Sequence, residues 1–209
     1  MKKLFIAITA LTLLAAACKS KAKKDGPIES LGDLKEYSEK VKESVDASTS
    51  KMEARKAKGD TLAMPYKDLQ GFLPEISGYT KEGQPKGSQM NMPGMGSWSQ
   101  AEQEYKNGDK TIKVQIMDYN AAYQTFVGLT AMYKMGFSQE DGDKKQGSAN
   151  LGIKEVSGYE TIYKKEQKGE LSVIAGDRFL IQIDSEGSND PALLYSTAKS
   201  IKLADLAAK

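Results

Sequence analysis

Histidine is absent from this chain, and cysteine occurs once, at position 18. Without an imidazole there is no Ser-His or Cys-His catalytic pair, because each needs that base beside its nucleophile. Zinc and Cu(II) sites lose their commonest nitrogen ligand for the same reason. An excess of charge is missing too: 30 basic residues face 28 acidic ones, a net of +2. That balance does not supply the basic footprint of a nucleic-acid-binding protein. Several motifs are also lacking: a Gly-x-Ser-x-Gly elbow, a phosphate-cradling Gly-Lys-Ser/Thr loop and a dinucleotide fingerprint. Glu140-Asp141-Gly142-Asp143 has no downstream glutamate at the calcium-loop step and reads as a charged turn. Carboxylate pairs could serve glycosidase chemistry. Asp118 and Asp184, at matched strand ends, are the carboxylates with a positional argument, and capping or strand termination is the simpler role for both. The expected catalytic set is empty.

What the chain does have begins at its N-terminus. Lys2 and Lys3 form a charged head, residues 4–14 form an apolar run too short to span a bilayer permanently, and Ala15, Ala16 and Ala17 precede Cys18. This pattern describes a secretory signal. With the cysteine directly after the small residues, it resembles a bacterial lipoprotein signal, although Ala15 stands where that family prefers leucine. The resemblance implies cleavage before Cys18, a diacylglyceryl thioether on its sulfur and acylation of the new amino terminus. It also implies a cell-envelope location, and Lys19 in place of the inner-membrane-retaining aspartate points to the outer membrane, facing the periplasm. Two or more acyl chains give stable anchoring without a spanning helix. Without Lys2 and Lys3, basic residues number 28, equal to the acidic ones, so the mature chain is formally neutral. Lys19, Lys21, Lys23 and Lys24 then form part of a lysine-rich tether over residues 18–29.

Further along, Leu31, Leu34, Tyr37, Val41, Val45 and Met52 recur at helical steps, which predicts an amphipathic helix over 30–58, stopped by Gly59. A single α+β domain follows, over 62–206. Glu75-Ile76-Ser77-Gly78-Tyr79 returns as Glu155-Val156-Ser157-Gly158-Tyr159. Gly108-Asp109-Lys110, with the strand after it, returns as Gly176-Asp177-Arg178 and its own strand. A helix is expected after each strand. The first, over 121–134, would carry Ala122, Phe126, Leu129 and Tyr133 on one face; the second opens at Asp190-Pro191. Two tandem βββα units account for the pattern. A two-residue turn at Gly176-Asp177 would set Ile174 against Phe179 and Val173 against Leu180. Both faces of that hairpin are then partly apolar, which calls for helices on both sides of an antiparallel sheet. The long N-terminal helix is the spare element for the second face.

The stretch SQMNMPGMGSW carries Met90, Met92, Met95 and Trp98. By comparison of the two units it belongs to an enlarged connection, KEGQPKGSQMNMPGMGS, between Gly78-Tyr79 and Tyr105-Lys106. Glycine and proline there are expected to prevent regular structure. The connection has three readings. Methionine is an adaptable apolar side chain, so Met90, Met92, Met95 and Trp98 can form a flap over an apolar ligand or a surface for another envelope protein. Thioethers also prefer Cu(I) or Ag(I), so the three methionines could converge on one such ion, with Trp98 over the cation. The third reading is an inert loop. A non-catalytic binding role is therefore expected, with a metal handler and a structural part of an envelope complex as alternatives.

Overall fold

A computed structural model describes residues 31–92, 96–120, 126, 133 and 138–209. The signal, the tether with Cys18, Met95 and most of the helix expected over 121–134 lie outside the described residues. Helix α1 spans Leu31–Ala57 and is about 40 Å long at 1.5 Å per residue. Its end is set by Gly59, at φ 83°. The Gly59 amide bonds to Lys56 O and the Asp60 amide to Arg55 O, which closes a Schellman motif on carbonyls that would otherwise be unpaired. A short helix, α2 (Tyr66–Gln70), follows Pro65.

Eight strands form one open antiparallel sheet: β1 (Thr80–Met92), β2 (Gly96–Asn107), β3 (Lys110–Asp118), β4 (Ser138–Glu140), β5 (Lys144–Ala149), β6 (Val156–Tyr163), β7 (Lys168–Ala175) and β8 (Phe179–Glu186). Their order is β1-β2-β3-β8-β7-β6-β5-β4. Helix α3 (Pro191–Ser200) starts as expected, with Asp190 accepting from the Ala192 amide at 2.9 Å and Pro191 in the first turn. It stops one residue short of Ile201, and α4 (Leu203–Ala207) follows it, buried through Leu203 and Leu206.

Alternation decides which residues face which layer. Ile112, Val114 and Ile116 of β3 join Phe179, Ile181 and Ile183 of β8 in the main core, all fully buried. Each such side chain contributes roughly 1.5–3 kcal/mol of burial. Leu69 of α2, Leu194 and Ala198 of α3 and Leu203 and Leu206 of α4 cover this face. The second face is apolar only at one end. There Met117, Ile174 and Leu180 pack with Phe126, while Met52 of α1, Tyr119 and Tyr133 close over them. The long helix thus touches the second face, as its narrow stripe suggests.

The β7–β8 register differs from the expected one. Ala175 pairs with Phe179, Ile174 with Leu180 and Val173 with Ile181. Gly176 and Asp177 both take positive φ (62° and 55°), and Arg178 leaves the ladder. A one-residue change of register moves every side chain to the other face. Here it puts Ile174 opposite Leu180 on the second face and Val173 in the main core.

Arg178 leaves the ladder for a buried carboxylate. Its Nε lies 3.0 and 3.1 Å from the two oxygens of Asp118, and its Nη2 lies 2.7 Å from Oδ2. Its Nη1 donates to Asp60 at 2.7 Å. Asp118 is fully buried and Arg178 only 5 % exposed. Asp118 also accepts from the amides of Met64 (2.7 Å) and Asn120 (2.8 Å). Asn120 donates to Asp60 and Leu62 and accepts from Arg55 Nε at 2.9 Å. The end of α1, the segment after it, the end of β3 and the β7–β8 turn therefore meet in one polar knot. Arg178→Leu, which leaves the buried Asp118 without its guanidinium partner, should cost about 3–5 kcal/mol and lower Tm on the order of 10 °C. Thermal and urea unfolding would measure this; a loss under 1 kcal/mol would mean the knot is not holding the fold.

Candidate functional site

The methionine stretch does not form an irregular connection. Its described residues belong to a long hairpin, β1–β2, in which Met90 pairs with Trp98, Gln89 with Ser99 and Met92 with Gly96. Tyr105 therefore sits in the second strand of its meander, whereas Tyr163 ends the first strand of the other, β6. Gly83 and Pro85 are tolerated because they fall in a bulge. Between Glu82 and Lys86 the register shifts, so that residues 83–85 of β1 face Gln103 alone. Gly83 supplies a φ of 69° there. The Gln103 side chain donates to Glu82 O at 3.0 Å, and Gln70 of α2 donates to Pro85 O at 3.0 Å, so these two bulge carbonyls are satisfied by amide side chains.

The hairpin is pinned on its main-core side from base to tip. Tyr105, fully buried, donates its hydroxyl to Pro74 O at 2.7 Å. Burial raises the pKa of that hydroxyl above its ordinary value. Ser97 Oγ accepts from the Ala63 amide at 2.6 Å, and Ser99 Oγ donates to Met64 O at 2.5 Å. The Tyr66 ring lies so close to Gly87 that a Cβ there would come within 2.4 Å of Tyr66 Cδ2. Only glycine fits. Alongside these anchors β1 is an edge strand, exposed from Lys86 to Asn91.

Met90 is 44 % exposed, one of two large apolar side chains among the described residues that stand out in this way, with Leu62. Directly opposed residues share a face of the sheet, roughly 5 Å apart at Cβ. Met90 and half-buried Trp98 therefore form a side-by-side apolar pair on the second face. The structure brings these two expected residues together. Met92 is placed by its backbone pairing with Gly96 alone, and Met95 is outside the described residues. From Gly87 to Ala101 the hairpin carries no charge, in a chain that is 28 % charged. At the bulge the chemistry changes: Glu82, Gln84, Lys86, Glu102, Gln103 and Glu104 line a depression.

Asp118 and Asp184 are not brought together. Asp118 pairs with Phe179, whereas Asp184 pairs with Lys113, five positions back along β3 and roughly 17 Å away. Asp118 is consumed by Arg178. Asp184 lies on the second face opposite Glu170, beside Lys113. Burial, with the Glu170 charge second, raises its pKa above 3.8. Among the described residues, no three His, Cys, Asp or Glu side chains gather as a metal site, and no helix is long and apolar enough to cross a membrane. Lys51 of α1, which sequence patterning treats as a solvated residue, reaches Glu155 (3.3 Å) and Asp177 (3.1 Å). Both partners have positive φ in their turns. Burial opposes the charge on Lys51, but these two carboxylates outweigh it and raise its pKa.

The raised pKa of Asp184 has a definite sign in stability. The folded state holds that proton more tightly than the unfolded chain, so stability falls as pH rises through the folded pKa. Asp184→Asn should therefore be more stable than the parent in urea unfolding at pH 7, and the gap should close as pH falls toward 3.8. A variant less stable than the parent at pH 7 would show that the carboxylate is favourably engaged. Compared with known proteins, this chain is matched by no family model, no curated protein and no solved structure.

Proposed function

We propose that this chain is a lipid-anchored cell-envelope protein whose non-catalytic α+β domain uses the β1–β2 hairpin as a surface for another envelope protein. Its supports are of two kinds. The N-terminal pattern ending at Cys18 carries the anchor, and the outer membrane is the proposed location. The exposed Met90 set beside Trp98 on an uncharged edge hairpin carries the binding reading. Methionine adapts its shape to a partner, and tryptophan gives a large buried contact at little entropic cost. A protein surface fits this exposed edge ribbon better than an apolar small ligand does, since such ligands are held in concave sites.

The sheet also supports a reading as two tandem βββα units, with meanders β1–β3 and β6–β8 meeting along the β3–β8 pair. Phe126 and Tyr133, two of the four apolar residues expected on the first unit's helix, pack on the second face. A second functional reading rests on the Met90–Trp98 pair itself. A thioether beside an indole face suits a soft cation, Cu(I) or Ag(I), with Met92 and Met95 as the further thioethers.

Both readings can be tested on the full chain. A photo-cross-linking amino acid at position 90 should give a discrete adduct in intact cells, and the same group at position 62 should not, although Leu62 is 60 % exposed. Equal labelling from both positions, or none from position 90, would sink the partner surface. For the metal, anaerobic Cu(I) should quench Trp98 fluorescence at one equivalent, and a Met90/Met92/Met95→Leu variant should lose the response. An unquenched parent would end the metal reading.

A further inference from the structure

Edge strands invite pairing with other chains, and folded proteins block them with bulges, prolines and charges. The edge strand β1 is protected along only half of its length. From Lys81 to Lys86 it carries Lys81, Glu82, Pro85 and Lys86 and the register shift after Glu82, and Gln70 occupies the Pro85 carbonyl. From Gly87 to Asn91 none of these devices is present: the strand pairs regularly with β2, is exposed throughout and bears no charge. Protection stops where the apolar pair begins.

We infer that Gly87–Asn91 pairs antiparallel with the same segment of a second copy of this chain, so that two eight-stranded sheets join edge to edge about Gln89. This rests on the reading of the hairpin as a partner surface and names the partner. The segment is suited to itself. Antiparallel pairing centred on Gln89 sets Gly87 against Asn91 and Ser88 against Met90, and brings the two Gln89 amides side by side. An amide both donates and accepts, so the two can bond to each other. Lys86 falls opposite the uncharged position 92, so the lysines of the two copies are not opposed. Because paired residues share a face, the two Met90–Trp98 pairs lie on one side of the joined sheet and merge into a single apolar patch. Like-charge repulsion between whole copies is small too, since the chain carries only +2 before any cleavage. A closed two-fold pairing also consumes the open edge in both copies and so ends growth.

The test uses the full chain in mild detergent. Sedimentation velocity should show a dimer, and Gln89→Lys/Asn91→Lys should raise its Kd at least tenfold with the circular dichroism spectrum unchanged. A second measurement does not depend on how that variant folds. In a Cys18→Ser background, Gln89→Cys should form an intermolecular disulfide on mild oxidation, since directly paired strand residues lie within the Cα range that a disulfide bridges. Lys81→Cys should not, because the pairing sets its two copies roughly 50 Å apart. A monomer at about 100 μM, a dimer indifferent to the lysine pair, or equal cross-linking from positions 81 and 89 would each overturn the pairing. A monomer that still gives a position-90 adduct with a different protein overturns self-pairing alone and leaves the partner surface standing. A dimer whose position-90 adduct is only with its own copy upholds the pairing and removes the heterologous partner.

Discussion

The buried pair of Asp118 and Arg178 is the constraint on which the rest of the structure depends. A carboxylate with no exposure is tolerable only when its charge is matched and its lone pairs are filled. Asp118 meets both conditions by recruiting one guanidinium and two backbone amides from three separate segments. Each recruitment fixes geometry elsewhere. The guanidinium draws Arg178 out of the ladder and sets the β7–β8 register. The Met64 amide fixes the segment leading into α2, and through Asn120 and Arg55 the end of α1 is drawn onto the sheet. Burial of Met52, Ile174 and Leu180 on the second face follows from that placement.

Much of this was readable from the residues, and what was not has a physical cause. The strands of the central hairpins and the start of α3 followed from alternation, turn glycines and the Asp190-Pro191 cap, all of which are local signals. So did the end of α1 at Gly59. The β7–β8 register was off by one because its determinant, Asp118, lies sixty positions from Arg178 and leaves no local trace. Asp118 itself was singled out, but capping was the role expected of it, and its salt bridge was invisible without the fold. Reading β1 and the start of β2 as an irregular connection failed for a related reason. Gly83 and Pro85 are strand breakers in general but sit in a bulge on an edge, where no second neighbour needs the N–H that Pro85 lacks. Long-range pairing to β2 carried the remainder of the strand.

For the candidate site, Met90 and Trp98 stood out in the composition, whereas their alignment side by side needed the register. The lack of charge from Gly87 to Ala101 was present in the sequence throughout. It acquired meaning only once β1 proved to be an edge, since an uncharged run inside a sheet is ordinary and on its border is not. Lys51 shows the reverse. A lysine on a charged helix face looks solvated, yet its amine bridges two turns whose backbones occupy a region that glycine usually fills.

The strand order sets a timetable for assembly. β1, β2 and β3 follow one another closely in the chain and can pair as soon as they are made, but β3 waits for β8, which follows after some sixty residues. During that interval the most apolar strand of the first meander is a bare border, with Asp118 charged and unmatched beside it. Closing so long a loop is slow relative to forming hairpins, and an open border is where chains associate wrongly. That border closes only when β8 of the second meander pairs along it.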